Sequence, residues 1–161
     1  RKIKQNFSVT NEETPRIIDP RNAFIMSSLL KEVINTGTAR KAKILNREDI
    51  AGKTGTTNEL VDAWFAGFNQ DIVTITWMGY DQPKTLGKHE SGSRAALPIW
   101  IDYMKPIINE YPKKLSDAPD GIIPLKINKK TGMLAKEGED GVYEYFYDEF
   151  LPAENAYFLL N

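Results

Sequence analysis

Lys53-Thr54-Gly55-Thr56-Thr57 packs an ammonium and three hydroxyls into one short run, which is equipment for holding an anion. If the run is a strand, period-two alternation puts Thr54 and Thr56 on one face, where both hydroxyls can hydrogen-bond a carboxylate. Gly55 lets another backbone come close, and Lys53 adds a positive charge that attracts an anionic group and can aid proton movement. A backbone N–H of such a strand can also point at a developing oxyanion. Losing one donor of that kind costs about 10²–10³ in rate in a comparable enzyme.

Two other readings compete for these residue types. Gly52-Lys53-Thr54 copies the end of a phosphate-binding loop, but the glycine required at the start of that loop is replaced by Arg47. Such a loop must also open into a helix whose N-terminus cradles the phosphates, whereas Asn58 and Glu59 lead here into strand-like residues. Lys130-Thr131-Gly132 spells the same tripeptide a second time. It lies between Ile127 and Met133, with Asn128 and Lys129 in front, and this is the chemistry of a hairpin turn.

The elements that would position Lys53 to Thr57 are legible around it. Asp19 is a good N-cap and Pro20 suits a first helical position. Phe24 or Ile25, Leu29, Val33 and Ile34 then recur at helical spacing, so a helix is expected over about 20–35, with Gly37 supplying a left-handed residue after it. Arg40 to Glu48 reads as a charged connection, with Arg40, Lys41 and Lys43 in a solvated loop. Strands are expected over Asp49–Thr56, Asp62–Phe68 and Ile72–Tyr80, with Asn69-Gln70-Asp71 as a hairpin turn. Connections this short imply antiparallel neighbours. After a polar loop over Gln82–Ser93, a second helix starts near Arg94 and runs through Leu97, Trp100, Ile101 and Met104, with Pro106 ending or kinking it.

Residues 1–10 alternate as a strand would, and Asn11 to Pro15 reads as a turn. Beyond Tyr111, Pro112, Pro119, Gly121 and Pro124 punctuate the chain, and Asp117 to Gly121 reads as a linker turn. Gly121–Asn128 and Val142–Tyr147 are strand candidates in a tail too small for a core of its own. The expected division is therefore 1–112 and a β-rich extension over 113–161 that either covers a sheet edge, the simpler role, or binds a regulator.

Composition excludes several classes. With 161 residues, 21 basic and 22 acidic, the chain has neither the basic excess nor the stripe of a nucleic-acid-binding surface. There is no cysteine, hence no disulfide, thiolate nucleophile or Cys-based zinc site, and the single His89 in a polar stretch reads as surface loop. No metal or cofactor is expected. No run approaches the roughly 18 apolar residues of a membrane span. The chain opens on Arg1 rather than Met and is expected to be a piece of something longer.

Ala51-Gly-Lys-Thr-Gly-Thr-Thr57, then Asp62-Ala-Trp-Phe-Ala-Gly67, Trp77-Met-Gly-Tyr-Asp81 and Ala95-Ala-Leu-Pro-Ile-Trp100 resemble the end of the transpeptidase domain of class A (bifunctional) penicillin-binding proteins. Arg16-Ile-Ile-Asp-Pro20 and Asn35-Thr-Gly-Thr-Ala39 are similar to the segments that lead into that family's motif strand. Ala118-Pro-Asp-Gly-Ile122, Thr131-Gly-Met-Leu-Ala135 and Glu144-Tyr-Phe146 resemble the tail of its 1A type. The resemblance covers nearly the whole chain.

It implies a mixed α/β, β-lactamase/transpeptidase-like fold, an antiparallel sheet flanked by helices, incomplete in this chain. It implies serine acyl transfer that cross-links peptidoglycan stem peptides derived from lipid II, with β-lactam antibiotics acylating the same serine. Lys53, Thr54 and Thr56 would hold the substrate carboxylate, with Lys53 and Thr56 acting in catalysis and the Thr56 N–H as second oxyanion donor. Gly55 and Thr57 would line the cleft, while Asp62, Trp64 and Trp100 would be structural, the tryptophans as core aromatics. It further implies an upstream glycosyltransferase domain and an N-terminal anchor at the outer face of the cytoplasmic membrane.

The family's chemistry also needs Ser-x-x-Lys and Ser-x-Asn upstream of the motif strand. Ser28-Leu-Leu-Lys31 mimics the first, but no Ser-x-Asn occurs between Lys31 and Lys53, and Ser28 falls inside the expected helix. Nucleophile and base are therefore expected from an upstream segment of the same protein. Without it, sheet edges and apolar faces would lie bare, so the chain should be stable only beside that segment. A β-lactamase or D,D-carboxypeptidase of the same fold, and a non-enzymatic penicillin sensor, are the alternatives.

Overall fold

The computed structural model describes residues 15–153. The strand expected over 1–10 and all but Pro15 of the turn behind it lie outside them. Helix α1 runs Pro20–Asn35, bounded as its capping residues require: the Asp19 carboxylate accepts from the Arg21 N–H at 2.8 Å, and Pro20 takes the first position. Asp19→Ala should cost about 1 kcal/mol, read as a small drop in the thermal midpoint of the complete protein. No change would mean that α1 is held by its packing alone.

The end of α1 departs from expectation. Gly37 is not left-handed; Thr36 and Gly37 both donate to the Glu32 carbonyl, and the chain folds back over the last turn. A Cβ at Gly37 would lie 2.9 Å from the Val33 backbone, so glycine is needed there for closeness and not for its φ. The charged connection is also more ordered than a solvated loop. Arg40–Leu45 forms a 3₁₀ helix that keeps Arg40, Lys41 and Lys43 exposed while burying Ala42 and Leu45.

Three antiparallel strands follow as their composition and short connections predict: β1 Ala51–Thr56, β2 Ala63–Phe68 and β3 Val73–Met78, in the order β1-β2-β3. The turn between β2 and β3 is built by Asn69, whose side-chain oxygen accepts from the N–H groups of Asp71 and Ile72 at 2.9 Å each. A single π-helical turn, Gly92–Ala96, then opens helix α2, Leu97–Ile107, so the ordered segment begins slightly before Arg94. Pro106 sits in the last turn of α2 and a short 3₁₀ segment, Ile108–Glu110, follows it.

α2 packs on one face of the sheet. Trp100 meets Phe65 edge-on at 5.0 Å and donates its indole N–H to the Thr74 carbonyl at 3.2 Å. Leu97, Met104, Ile108, Ile50 and Ile34 complete the buried cluster. The opposite face is bare: Trp64, Val73, Ile75 and Trp77 are all exposed. Trp100 is the core aromatic expected of it. Trp64 is not; it is 42% exposed and leans on Trp77 instead, because alternation turns it away from α2.

One buried ion pair locks β1 to the end of α2. Arg47 and Asp49 form a two-pronged bridge at 2.7 and 2.6 Å, and their side chains keep only 7% and 1% of their surface. Arg47 also donates to the carbonyls of Ile108, Tyr111 and Pro112. Burial alone would raise the Asp49 pKa, but the Arg47 fork and the Lys114 N–H outweigh it and hold the carboxyl below its ordinary value.

The tail forms a separate two-stranded sheet, β4 Ile122–Ile127 with β5 Val142–Tyr147. Gly121, at φ 79°, makes the turn into it. Lys130-Thr131-Gly132 is the turn its composition predicts, with Asn128 Oδ1 accepting from the N–H groups of Lys130 and Thr131 and Gly132 at φ 71°. Among the described residues the tail does not pair with an edge of the larger sheet. It lies on α1, where Tyr145 meets Phe24 edge-on at 4.8 Å and Glu149 accepts from Arg21 at 2.8 Å.

Candidate active site

Pairing decides which way the backbone of β1 points. The Thr57 N–H donates to the Asp62 carbonyl at 3.1 Å, in register with the strand pairs Thr56↔Ala63 and Lys53↔Ala66. Hydrogen-bonded and non-bonded pairs alternate in an antiparallel ladder, so Gly55 and Lys53 bond to β2 whereas the N–H and C=O of Thr54 and Thr56 face away from it. That side of β1 is the open edge of the sheet among the described residues. The Asn69 N–H, which donates to Ile72 at 3.0 Å on the far side of β2, continues the same alternation.

The side chains divide by face and reconvene at this edge. Thr54 and Thr56 oppose Phe65 and Ala63 and share their face, under the turn that opens α2. Lys53 and Gly55 oppose Ala66 and Trp64 on the bare face. The Lys53 ammonium curls back to the edge and donates to the Thr54 carbonyl at 2.9 Å. Thr54 Oγ1 lies 2.9 Å from Thr38 Oγ1. Thr56 Oγ1 accepts the Gly92 N–H at 3.0 Å, and Thr57 Oγ1 accepts the Asp62 N–H at 2.8 Å.

Asp62 closes the strand end: its carboxylate accepts the Trp77 indole N–H at 2.9 Å while its backbone holds Thr57. Between them Glu59 and Leu60 both adopt left-handed φ, 62° and 56°, a conformation that costs non-glycine residues and that concentrates at ligand-binding rims. The Leu86 N–H secures the Leu60 carbonyl at 2.8 Å. Lys53, Thr54 and Thr56 are thus brought to the open edge, whereas Gly55 bonds to β2 and Thr57 is turned to Asp62 at the strand end. Thr38 and Gly92 join them, two residues that the motif did not single out because their partners lie 16 and 36 positions away.

Ser28 and Lys31 are elsewhere. They line a cavity of about 480 Å³ between α1 and the chain at 115–119, with Arg16, Phe24 and Tyr145, and no residue of the motif strand borders it. His89 is exposed in its loop. No group of three or more acidic or histidine side chains that could hold a metal is present among the described residues. In that range no helix is long and apolar enough to cross a membrane.

No family model matches the chain. Individual proteins do. It is 50% identical over 146 residues to penicillin-binding protein 1A of Pseudomonas aeruginosa, covering 89% of this chain and 18% of that protein. It is 45% identical over 143 residues to penicillin-binding protein 1A of Aquifex aeolicus, covering 87% of this chain and 20% of that one. The crystal structure of penicillin-binding protein 1A from Haemophilus influenzae superposes with a TM-score of 0.79 at 36% identity, over 86% of this chain and 22% of that chain. The chain thus spans about a fifth of the length of these proteins. The fold is β-lactamase/transpeptidase-like, an antiparallel sheet with helices against it. The identity, the superposition and the ordered blocks around Lys53–Thr57 agree: the chain belongs to the penicillin-binding protein 1A family.

Proposed function

We propose that this chain is the C-terminal part of a peptidoglycan D,D-transpeptidase and supplies one wall of its acyl-transfer site. The observation that carries the reading is the open edge of β1, where outward backbone groups of Thr54 and Thr56 meet the Lys53 ammonium and two threonine hydroxyls. An extended stem peptide would add to that edge as a strand does, main chain to main chain. Lys53, Thr54 and Thr56 would hold its terminal carboxylate, and Gly55 and Thr57 would line the cleft.

The nucleophilic serine, its lysine and the Ser-x-Asn group would come from an upstream segment. The serine attacks the carbonyl of the penultimate D-alanine, the Thr56 N–H steadies the oxyanion, D-alanine leaves, and the amine of a neighbouring stem resolves the acyl-enzyme. The bare face of Trp64, Val73, Ile75 and Trp77 is the kind of surface such a segment would cover. The chain from residue 113 on would be an extension, tied back by Lys113 to Glu48, Lys114 to Asp71 and Gln70 to Ser116. The complete protein, with a glycosyltransferase domain and membrane anchor, would act at the outer face of the cytoplasmic membrane.

Labelling of the complete protein with a fluorescent penicillin tests this. A stable covalent label is expected, together with cross-linked product from lipid II. Rapid turnover of the label would favour a β-lactamase, and release of D-alanine without cross-links a carboxypeptidase. Absence of any label would leave only a binding module.

A further inference from the structure

A threonine hydroxyl has one proton and two acceptor sites, so what it offers a ligand depends on which of these the protein already uses. At Thr56 one acceptor site is already taken. The Gly92 N–H, 3.0 Å away, occupies an acceptor site of Oγ1. No second protein partner of that oxygen occurs among the described residues, and Thr56 itself is exposed. Its proton and its remaining acceptor site are therefore free for a ligand. Threonine is also stiff at χ1, so a hydroxyl held at one point is held in one rotamer.

The donor is fixed as firmly as the acceptor. Gly92 is buried and begins the π-helical turn that opens α2, a rare backbone form that recurs at functional sites. A Cβ on Gly92 would lie 2.4 Å from the Trp64 carbonyl oxygen, 2.5 Å from that of Gly55 and 3.1 Å from the Gly55 nitrogen. The Gly92 backbone thus rests directly on the Gly55↔Trp64 pair of the motif strand, at a distance no other residue permits. Ser91 and Ser93, whose hydroxyls lie 2.9 Å apart, and the Ser91 carbonyl, which accepts from Arg94 and Ala95, brace the turn from both sides.

We infer that Gly92 is a positioning residue that holds the Thr56 hydroxyl in place with one acceptor site filled and its proton free to donate, and so biases the site toward ligands bearing a carboxylate over their neutral esters. This rests on the proposed acyl-transfer function and adds to it the origin of the charge preference. Any side chain at position 92 would lift the turn off β1, break the N–H···Oγ1 bond and free the hydroxyl to rotate.

The test compares acylation of the complete protein by benzylpenicillin and by its methyl ester, as a ratio of second-order rate constants. The ratio favours the free acid in the parent protein and is expected to fall about tenfold in Gly92→Ala, the scale of one hydrogen bond to a charged group. Thr56→Val should lower it similarly, Thr56→Ser should keep it, and Gly92→Ala added to Thr56→Val should lower it no further. Equal loss of both rates in Gly92→Ala, or additive losses in the double variant, would overturn the inference. Should Gly92→Ala fail to fold, hydrogen exchange over 91–96 gives a second reading. Exchange should speed up in Thr56→Val and not in Thr56→Ser; unchanged protection in Thr56→Val rejects the bond. A parent protein that neither penicillin acylates would remove the functional reading itself, whereas a labelled parent whose Gly92→Ala variant keeps the ratio removes only the role of Gly92.

Discussion

Asp49→Ala in the complete protein should lower stability by about 3–5 kcal/mol, the cost of leaving a buried charge without its partner. For a region of this size that corresponds to a drop in thermal midpoint on the order of 10 °C. The stranded group is Arg47, whose side chain is 7% exposed and whose guanidinium would keep only the carbonyls of Ile108, Tyr111 and Pro112. Removing both charges at once, as Arg47→Met with Asp49→Leu, should cost far less. The effect also depends on pH in a definite direction. The Asp49 pKa is lowered in the folded protein, so the pair contributes fully above the unfolded value near 3.8 and loses its contribution as pH falls through the lower folded value. Parent and Asp49→Ala proteins should therefore converge in stability only in strong acid. Calorimetry of both, from neutral pH to about pH 3, checks the size and the sign together; a gap that widens in acid would refute the assignment.

Lys53→Gln should leave the fold intact and reduce acylation of the complete protein by a β-lactam by about 10²–10⁴-fold, the range over which a positioned proton-transfer group acts. Stability should hardly move, because Lys53 is exposed and its ammonium has a single hydrogen-bond partner among the described residues, the Thr54 carbonyl at 2.9 Å. Lys53→Arg should recover little. A planar guanidinium keeps the charge but cannot occupy the position of a compact ammonium. Measuring the acylation rate against the unfolding midpoint for each variant separates loss of chemistry from loss of structure. A rate within twofold of the parent would mean that Lys53 takes no part.

What could be read in advance follows a physical divide between local and distant causes. The start of α1 was legible because Asp19 and Pro20 act on the next few backbone groups, and the strands because β-branched and aromatic residues flank a short turn at Asn69-Gln70-Asp71. The motif strand, its hairpin partners and the decoy at Lys130-Thr131-Gly132 were legible for the same reason. The misreadings are non-local except at Gly37, where the contact is four residues away but depends on how the chain folds back after α1. Gly37 has the composition of a left-handed cap, yet it is the closeness of Val33 that requires glycine. Alternation separates Trp64 from Phe65 but does not say which face a helix will cover; α2, more than thirty residues later in the chain, chooses Phe65. The Arg47–Asp49 bridge looks like an ordinary surface pair until the carbonyls at 108–112 close over it. Gly92 carried no signal beyond being a glycine ahead of small residues. Its role exists only once the α2 turn is laid on β1.

The open edge of β1 has a cost outside chemistry. A row of unpaired strand groups will accept any extended chain, including β1 of another copy, and the usual remedies of a covering loop or a bulge would shut out the ligand as well. Lys53 is the one charged residue between Ala51 and Thr56, and it stands on the strand at that edge. Two such strands pairing with each other would bring two ammonium groups together, while an incoming carboxylate meets attraction. The charge proposed to serve the ligand would thus also disfavour pairing of this edge with that of a second copy, so the site could stay open because it discriminates against its own likeness.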